Sequence, residues 1–373
     1  MLVEIHALQS FGPSNLNRDD TGNPKDTIFG GVRRLRISSQ AQKRPIRLSE
    51  HFKAEVGMGT GIRTKKLVEM LTTELTNRSI AADQGHTLAS AFVEKIAGLN
   101  KENGLSSVLV YISADELDYI ADKLAEVAQA PDKEINKTIA DLVKELAKDK
   151  NRLTAPDLAL FGRMLANNPE LNVDAAAQVA HAISTHSSTT EFDYFTAVDD
   201  LAPADNAGAG MIGTVAFGSA TYYRYGRVDV QLLKANLGQD VGLTRATVAG
   251  FLRAFLYALP TGKQNTFAAH NLPEFVIGVV RPDQQGWSLA NAFETPVRPT
   301  RDGGYMIPSI KALAQHWLKM ERAYGLNAPK ATAILNVRSQ PLEMPADLGF
   351  AVEQTDRAGA WLELMAAAVQ TEA

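Results

Sequence analysis

PKDTIFGGVRRLRISSQAQKRPIR, residues 24–47, is the stretch from which the rest of the chain is read. It holds a Gly30-Gly31 pair and then six basic residues with no acid between Arg33 and Arg47: Arg33, Arg34, Arg36, Lys43, Arg44 and Arg47. The whole chain has a formal charge of −4, so this segment runs against the average. Alternation predicts a strand over 32–37, with Arg33, Leu35 and Ile37 on one face and Val32, Arg34 and Arg36 on the other. Ser38-Ser39 predicts a helix start, and Ser39 with Gln42 three residues on fits a capping box. In that helix Gln40, Lys43, Arg44 and Arg47 form one polar stripe with three cations. Pro45 removes a backbone hydrogen bond and predicts a short or kinked helix. A cationic stripe beside a helix N-terminus suits a phosphate backbone. A plain solvated basic face fits the charge equally well.

Composition narrows the classes. At 373 residues, with 45% hydrophobic and 21% charged residues, the chain reads as globular with two or three domains. It has no cysteine, which excludes disulfides and thiolate metal sites and fits a reducing cytoplasm. No segment approaches the ~20 apolar residues of a membrane span. MLVEIHALQSF lacks the basic region of a signal peptide, so the expected location is cytoplasmic. The near-neutral balance argues against a generic nucleic-acid coat and leaves room for a local groove.

Working outward, Leu2 to Leu8 alternates as an opening strand. Residues 12–31 have the Gly, Pro, Asn and Asp content of a long ordered loop. From GMGTG at 57–61 to about 170 the pattern is helical, with periodic segments at 115–130 and 135–146. Asp115, Glu116, Asp118, Asp122 and Glu126 read as a solvated face. Residues 178–184 fit a strand or a short helix, and 186–211 read as an irregular excursion, a projecting arm or a disordered tip. Strands are predicted at 215–230 and 274–281 and helices at 245–259 and 310–324. Strand-rich ends around a helical block predict a discontinuous α+β core.

Motifs for other chemistry are missing. Thr261-Gly262-Lys263 lacks the earlier glycine of a phosphate-binding loop, because Tyr257 stands there. No histidine spacing fits a zinc site, and no cofactor is expected. Asp19-Asp20 and Asp199-Asp200 are paired acids that could hold a divalent cation, though such pairs are more often turn residues. His6 could serve acid–base cleavage of RNA if it met a cation such as Arg34 or Lys43. From the residues alone, Met164 and Phe195 read as core packing.

These residues also carry a resemblance. VEIHALQSFGPSNLNRDDTGNPKDTIFGGVRRLRISSQAQKR is similar to the N-terminus of the Cas7 backbone subunit of type I-E CRISPR surveillance complexes (Cascade). FGRM, AHAISTH, FDYFTAVDDL, TYYRYGR, GKQNTFAA, SLANAFE and YGLN follow in order, while 62–155 matches loosely. The resemblance implies an α+β, RRM-like (ferredoxin-type βαββαβ) palm over 1–56, 176–190 and 222–373. It implies helical fingers over 57–175 and a thumb over 191–221.

It also implies a non-catalytic scaffold. Copies would polymerise head-to-tail along a CRISPR guide RNA with other Cascade subunits, displace bases at regular intervals and present the rest to a target DNA strand. Guide-RNA contacts carry over onto Lys25, Ser38, Gln40, Lys43 and Arg44, with Arg34 and Arg47 adding positive charge. Met164 matches a residue that wedges beside the displaced base, and Tyr194-Phe195 match an aromatic pair at the thumb root. Arg298 and Arg301 fall where relatives carry lysines near the RNA, in a local sequence, TPVRPTRDGG, that departs from theirs. No catalytic or metal-binding residue is implied. The alternative is an RNA endonuclease of the same superfamily using His6 or Asp20.

Overall fold

The computed structural model describes residues 1–370 except 58, 101, 130, 149–154, 198–210, 284, 339–340 and 346–347. Asp199 and Asp200 lie outside the described residues. The chain divides into two compact units. The first consists of Met1–Ser49, Val179–Arg227 and Leu252–Val369, and the second mainly of Glu50–Gln178 and Val228–Phe251. The architecture is mixed α+β around a large central sheet.

Nine strands position the site: β1 (Leu2–Ser14), β2 (Asp26–Phe29), β3 (Val32–Ile37), β4 (Ala182–Ser184), β5 (Glu191–Ala197), β6 (Met211–Asp229), β7 (Phe275–Arg281), β8 (Ala331–Asn336) and β9 (Glu353–Thr355). Their order in the sheet is β9-β8-β7-β1-β6-β4-β3-β2, with β5 paired to β6. β1 is central and antiparallel to β7, from Leu2↔Arg281 to Leu8↔Phe275. Its expected alternation gives way to continuous burial from Leu2 to Gln9, because both faces of a central strand are covered. Tyr222 and Tyr223, adjacent on β6, join different clusters. Tyr223 packs with Leu8, Ile277, Phe293 and Trp317, and Tyr222 with Phe11, Leu35, Ile37 and Ala182. In the first cluster's layer Arg281 bonds both Glu4 (2.5 Å) and Glu321 (2.5 Å), which answers the desolvation of three buried charges.

Two sequence readings change. The strand-or-helix segment at 178–184 ends as β4, drawn into the sheet between β6 and β3. The irregular excursion is a β-ribbon at its root: β5 pairs antiparallel with the start of β6, from Glu191↔Phe217 to Ala197↔Met211. Alternating aromatic and polar residues in FDYFTA satisfy the period of a strand.

In the second unit, helices over Leu67–Asn77, Ala82–Ala97, Ala114–Val127 and Asp132–Lys148 bury Leu71, Leu75, Phe92, Leu117, Ile120, Leu124 and Leu142. The solvated acidic face is corrected in part. Glu116 pairs with buried Arg163 at 2.7 Å, and Asp122 and Asp118 hold Arg78 at 2.6 and 3.4 Å. Among the described residues no helix is long and apolar enough to cross a membrane.

Candidate nucleic-acid interface

The basic stretch begins at a two-residue hairpin turn. Phe29 pairs with Val32, and Gly30 and Gly31 between them have φ of 60° and 76°. Two successive positive φ values are the requirement of a type I′ turn, which glycine meets without strain. A Cβ on Gly30 would also fall 1.6 Å from the Glu294 carbonyl oxygen, so the turn lies directly on that segment.

Arg34 is withdrawn from the surface. It is fully buried and donates to the carbonyls of Ser184 (3.0 Å), Phe293 (2.7 Å) and Phe29 (3.2 Å). Its guanidinium fastens β3 to β4 and to the 293–294 segment. Burial pulls its pKa below the ordinary value, with Glu294 opposing. Arg33 pairs with Asp26, and Arg36 donates to His181 Nδ1 at 2.8 Å.

The helix after β3, α1 (Ser39–Leu48), is capped by Ser38 rather than Ser39. The Ser38 hydroxyl accepts from the Ala41 N–H at 3.3 Å, and the Ser38 N–H donates to Asn17 Oδ1 at 2.8 Å. Gln42 leaves the predicted capping box because the interior claims it. Its amide nitrogen donates to the Ala180 carbonyl (2.9 Å), and its oxygen accepts from Arg224 (3.2 Å). Gln42 and Ile46 form the buried face, so Gln40 and Arg44 are exposed, with Lys43 and Arg47 half-buried. The helix is short, as Pro45 suggests, and runs through the proline to Leu48.

Lys25 is set against this helix start by backbone bonds: its N–H donates to the Asn17 carbonyl (2.8 Å), and its carbonyl accepts from Arg36 (2.8 Å). A 390 Å³ groove brings Lys25 together with Arg33, Arg36 and Phe192. A second cleft of 490 Å³ brings Arg44 together with Arg18, Asp19 and Asp20. Asp19 is a turn residue, accepting from Thr21 Oγ1 (2.8 Å) and from the N–H groups of Thr21 (2.9 Å) and Asn23 (2.9 Å). The Thr21 hydroxyl first, then these amides, hold its carboxyl below the usual range. Among the described residues no three His, Asp or Glu side chains are grouped to hold a metal ion.

His6, the proposed base of the cleavage alternative, is buried. Its Nδ1 lies 2.9 Å from the Tyr223 hydroxyl, and burial, aided by Arg281, pushes its pKa down to about 3. A ring so enclosed does not reach an RNA on the surface. Asp20 is exposed at the edge of the Arg44 cleft.

The remaining candidates sit on loops and on the hairpin. Met164 is in the second unit and is 83% exposed, which overturns its reading as core. Gly162 ends the helix Pro156–Phe161 with φ of 74°, and Arg163 is locked by the carbonyls of Tyr111 and Leu171, so Met164 projects. Phe195 is half-buried, its ring lying where a Gly213 Cβ would be, 2.4 Å away. Tyr194 is exposed. Arg298 and Arg301 are exposed on a loop fixed by the Val297 N–H to the Thr185 carbonyl (3.0 Å), and neither lines the two clefts above. Sequence reading missed Phe192, although strand alternation from Tyr194 would have put both rings on one face.

The CT1975-like protein family matches residues 3–355. Comparison with curated proteins gives no match. A chain of a "CRISPR RNA-guided surveillance complex, pre-nicking" superposes with a TM-score of 0.80 at 32% identity, covering 99% of this chain and 100% of that one. A chain of a second structure, a "CRISPR RNA-guided surveillance complex", gives 0.64 at 28% identity, covering 99% of both.

Proposed function

The chain belongs to the CT1975-like family and is of the Cas7 type, and from this premise we propose that it is a non-catalytic scaffold for CRISPR guide RNA. Copies polymerise head-to-tail along the guide, hold its phosphates, displace bases at intervals and leave the rest for a target DNA strand. The observation that carries this reading is the sidedness of α1. Gln42 and Ile46 point inward, so Gln40 and Arg44 face solvent and Lys43 and Arg47 flank them. Phosphate contacts carry no base code, which suits a subunit repeated along guides of any sequence.

The finer architecture belongs to the same proposal. β7-β1-β6-β4 reads, in chain order, as 4-1-3-2, the arrangement of a ferredoxin-type βαββαβ palm. The helical block is the fingers and the β5–β6 ribbon the root of the thumb. Lys25, Ser38, Gln40, Lys43, Arg44 and Arg47 hold the guide backbone. Arg298 and Arg301 add charge near it, and Met164 and Tyr194 meet bases. Arg34 is left out, being engaged by carbonyls.

The test is RNA binding by the purified full chain, followed by anisotropy of a labelled single strand at several salt concentrations. Lys43→Glu with Arg44→Glu is expected to weaken binding by roughly a hundredfold and to lower the salt slope by about 0.7 for each phosphate no longer neutralised. An unchanged affinity and slope would remove α1 from the interface. RNA shortened on incubation with Mg²⁺, and spared by Asp20→Asn, would restore the nuclease alternative.

A further inference from the structure

The β5–β6 ribbon carries two rings on one face. Residues two apart on a strand point the same way, so Phe192 and Tyr194 share a face and Phe195 takes the other, over Gly213. Phe192 is 67% and Tyr194 63% exposed. Their cross-strand neighbours are Ala216 and Thr214, too small to cover them. Two residues of strand advance roughly 6.6–6.8 Å. Stacked bases rise about 3.4 Å along a strand, so the spacing of the two rings admits one flat base.

Phe192 also walls the 390 Å³ groove, facing Pro24, Lys25 and Arg36. Its charged lining is Lys25, Arg33 and Arg36 with Asp19 and Asp26, and Asp26 pairs with Arg33. His181, bonded to Arg36, is depressed by burial first, then by Arg36 and Lys25 together. A ring on one wall and cations on the other match a nucleotide, whose base and phosphate are separate and chemically opposite. An apolar segment in the groove would leave Lys25 and Arg36 without an anion.

We propose that this groove seats one nucleotide of the bound single strand, its phosphate at Lys25 and Arg36 and its base against Phe192. The seat rests on the guide-RNA reading above and deepens it. It is indifferent to base identity, because every base has a π-face. Phe192 therefore adds affinity without adding sequence preference.

The probe is a single-stranded RNA of about 12 nucleotides, within the span of one binding fold, carrying 2-aminopurine, whose fluorescence falls on stacking. Wild type is expected to bind and quench. Phe192→Ala is expected to raise Kd roughly tenfold and abolish the quench. Its salt slope stays that of wild type, since every phosphate keeps its cation. Phe192→Trp keeps both affinity and quench, which separates a stacking defect from a folding defect. Arg36→Gln lowers the salt slope and leaves the quench at saturation. Wild-type Kd and quench in Phe192→Ala overturn the seat while leaving the scaffold reading standing. So does a variant altered only in self-association, which would assign the ring to a contact between copies. A wild type that binds no RNA overturns the scaffold reading and the seat with it.

Discussion

β3 and α1 follow one another in the chain, and each carries three cations, Arg33, Arg34 and Arg36 in one and Lys43, Arg44 and Arg47 in the other. In β3 the charges are tied to the protein itself: Arg34 to backbone carbonyls, Arg33 to Asp26 and Arg36 to His181. In α1 the helix commits Gln42 and Ile46 to the interior, and its cations lie on the other side. The same number of cations is thus tied into the fold in β3 and carried on the face away from the core in α1. The lesson is that a buried arginine is best read by the carbonyls it meets. A carbonyl cluster answers a guanidinium well because each N–H finds an acceptor without a second desolvated charge.

The comparison can be broken most forcefully at Arg34. Arg34→Met is expected to cost about 3–5 kcal/mol, since it removes a buried guanidinium that bonds three backbone carbonyls. Arg44→Met, on the exposed face, is expected to stay within about 0.5 kcal/mol. Urea midpoints of the two variants decide it, and equal midpoints would mean that β3 and α1 do not differ. The RNA titration should show the reverse order, with Arg44→Met weakened.

The hairpin turn sharpens the same contrast. Gly30→Ala must push back the Glu294 backbone, part of the segment Arg34 holds, and is expected to cost about 2–3 kcal/mol. Gly31→Ala meets open space and is expected to cost about 1 kcal/mol, for its positive φ alone. Thermal midpoints should fall in that order.

A pH effect concerns His6, buried on β1. The unfolded chain takes up the His6 proton near pH 6.5, and the folded protein only near pH 3. The unfolded state therefore binds more protons in between, and stability falls as pH drops below 6.5. The decrease from this group is about 1.4 kcal/mol per pH unit below that point. His6→Phe is expected to flatten the fall between pH 6.5 and 5, whatever it does at pH 7. A variant with the wild-type slope would show that another group sets the acid limb.

Much of this was legible in local pattern. The Gly-Gly turn, the β3 alternation, the polar stripe of α1 and the helical block all follow from periods of 2 and 3.6 and from turn chemistry. The resemblance read in FDYFTAVDDL placed an aromatic pair at an expected thumb root, yet β5 and the start of β6 at Met211 both fall within 186–211, whose composition reads as irregular. The cap was misassigned by one residue because Gln42, a sound capping partner by sequence, found better acceptors and donors in Ala180 and Arg224. Met164 looked like core by composition, and only the lock on Arg163 turns it outward.

What the sequence determined by itself is what neighbouring residues can decide: where strands and helices form, which positions share a face, and where positive charge gathers. Its likeness to Cas7-type subunits added the family. Tertiary structure alone decided which of those cations meet water. Arg34 is closed in by residues 150 and 259 positions away, Ser184 and Phe293. No local period can encode partners so distant, and desolvation, which separates a structural arginine from a binding one, depends on them.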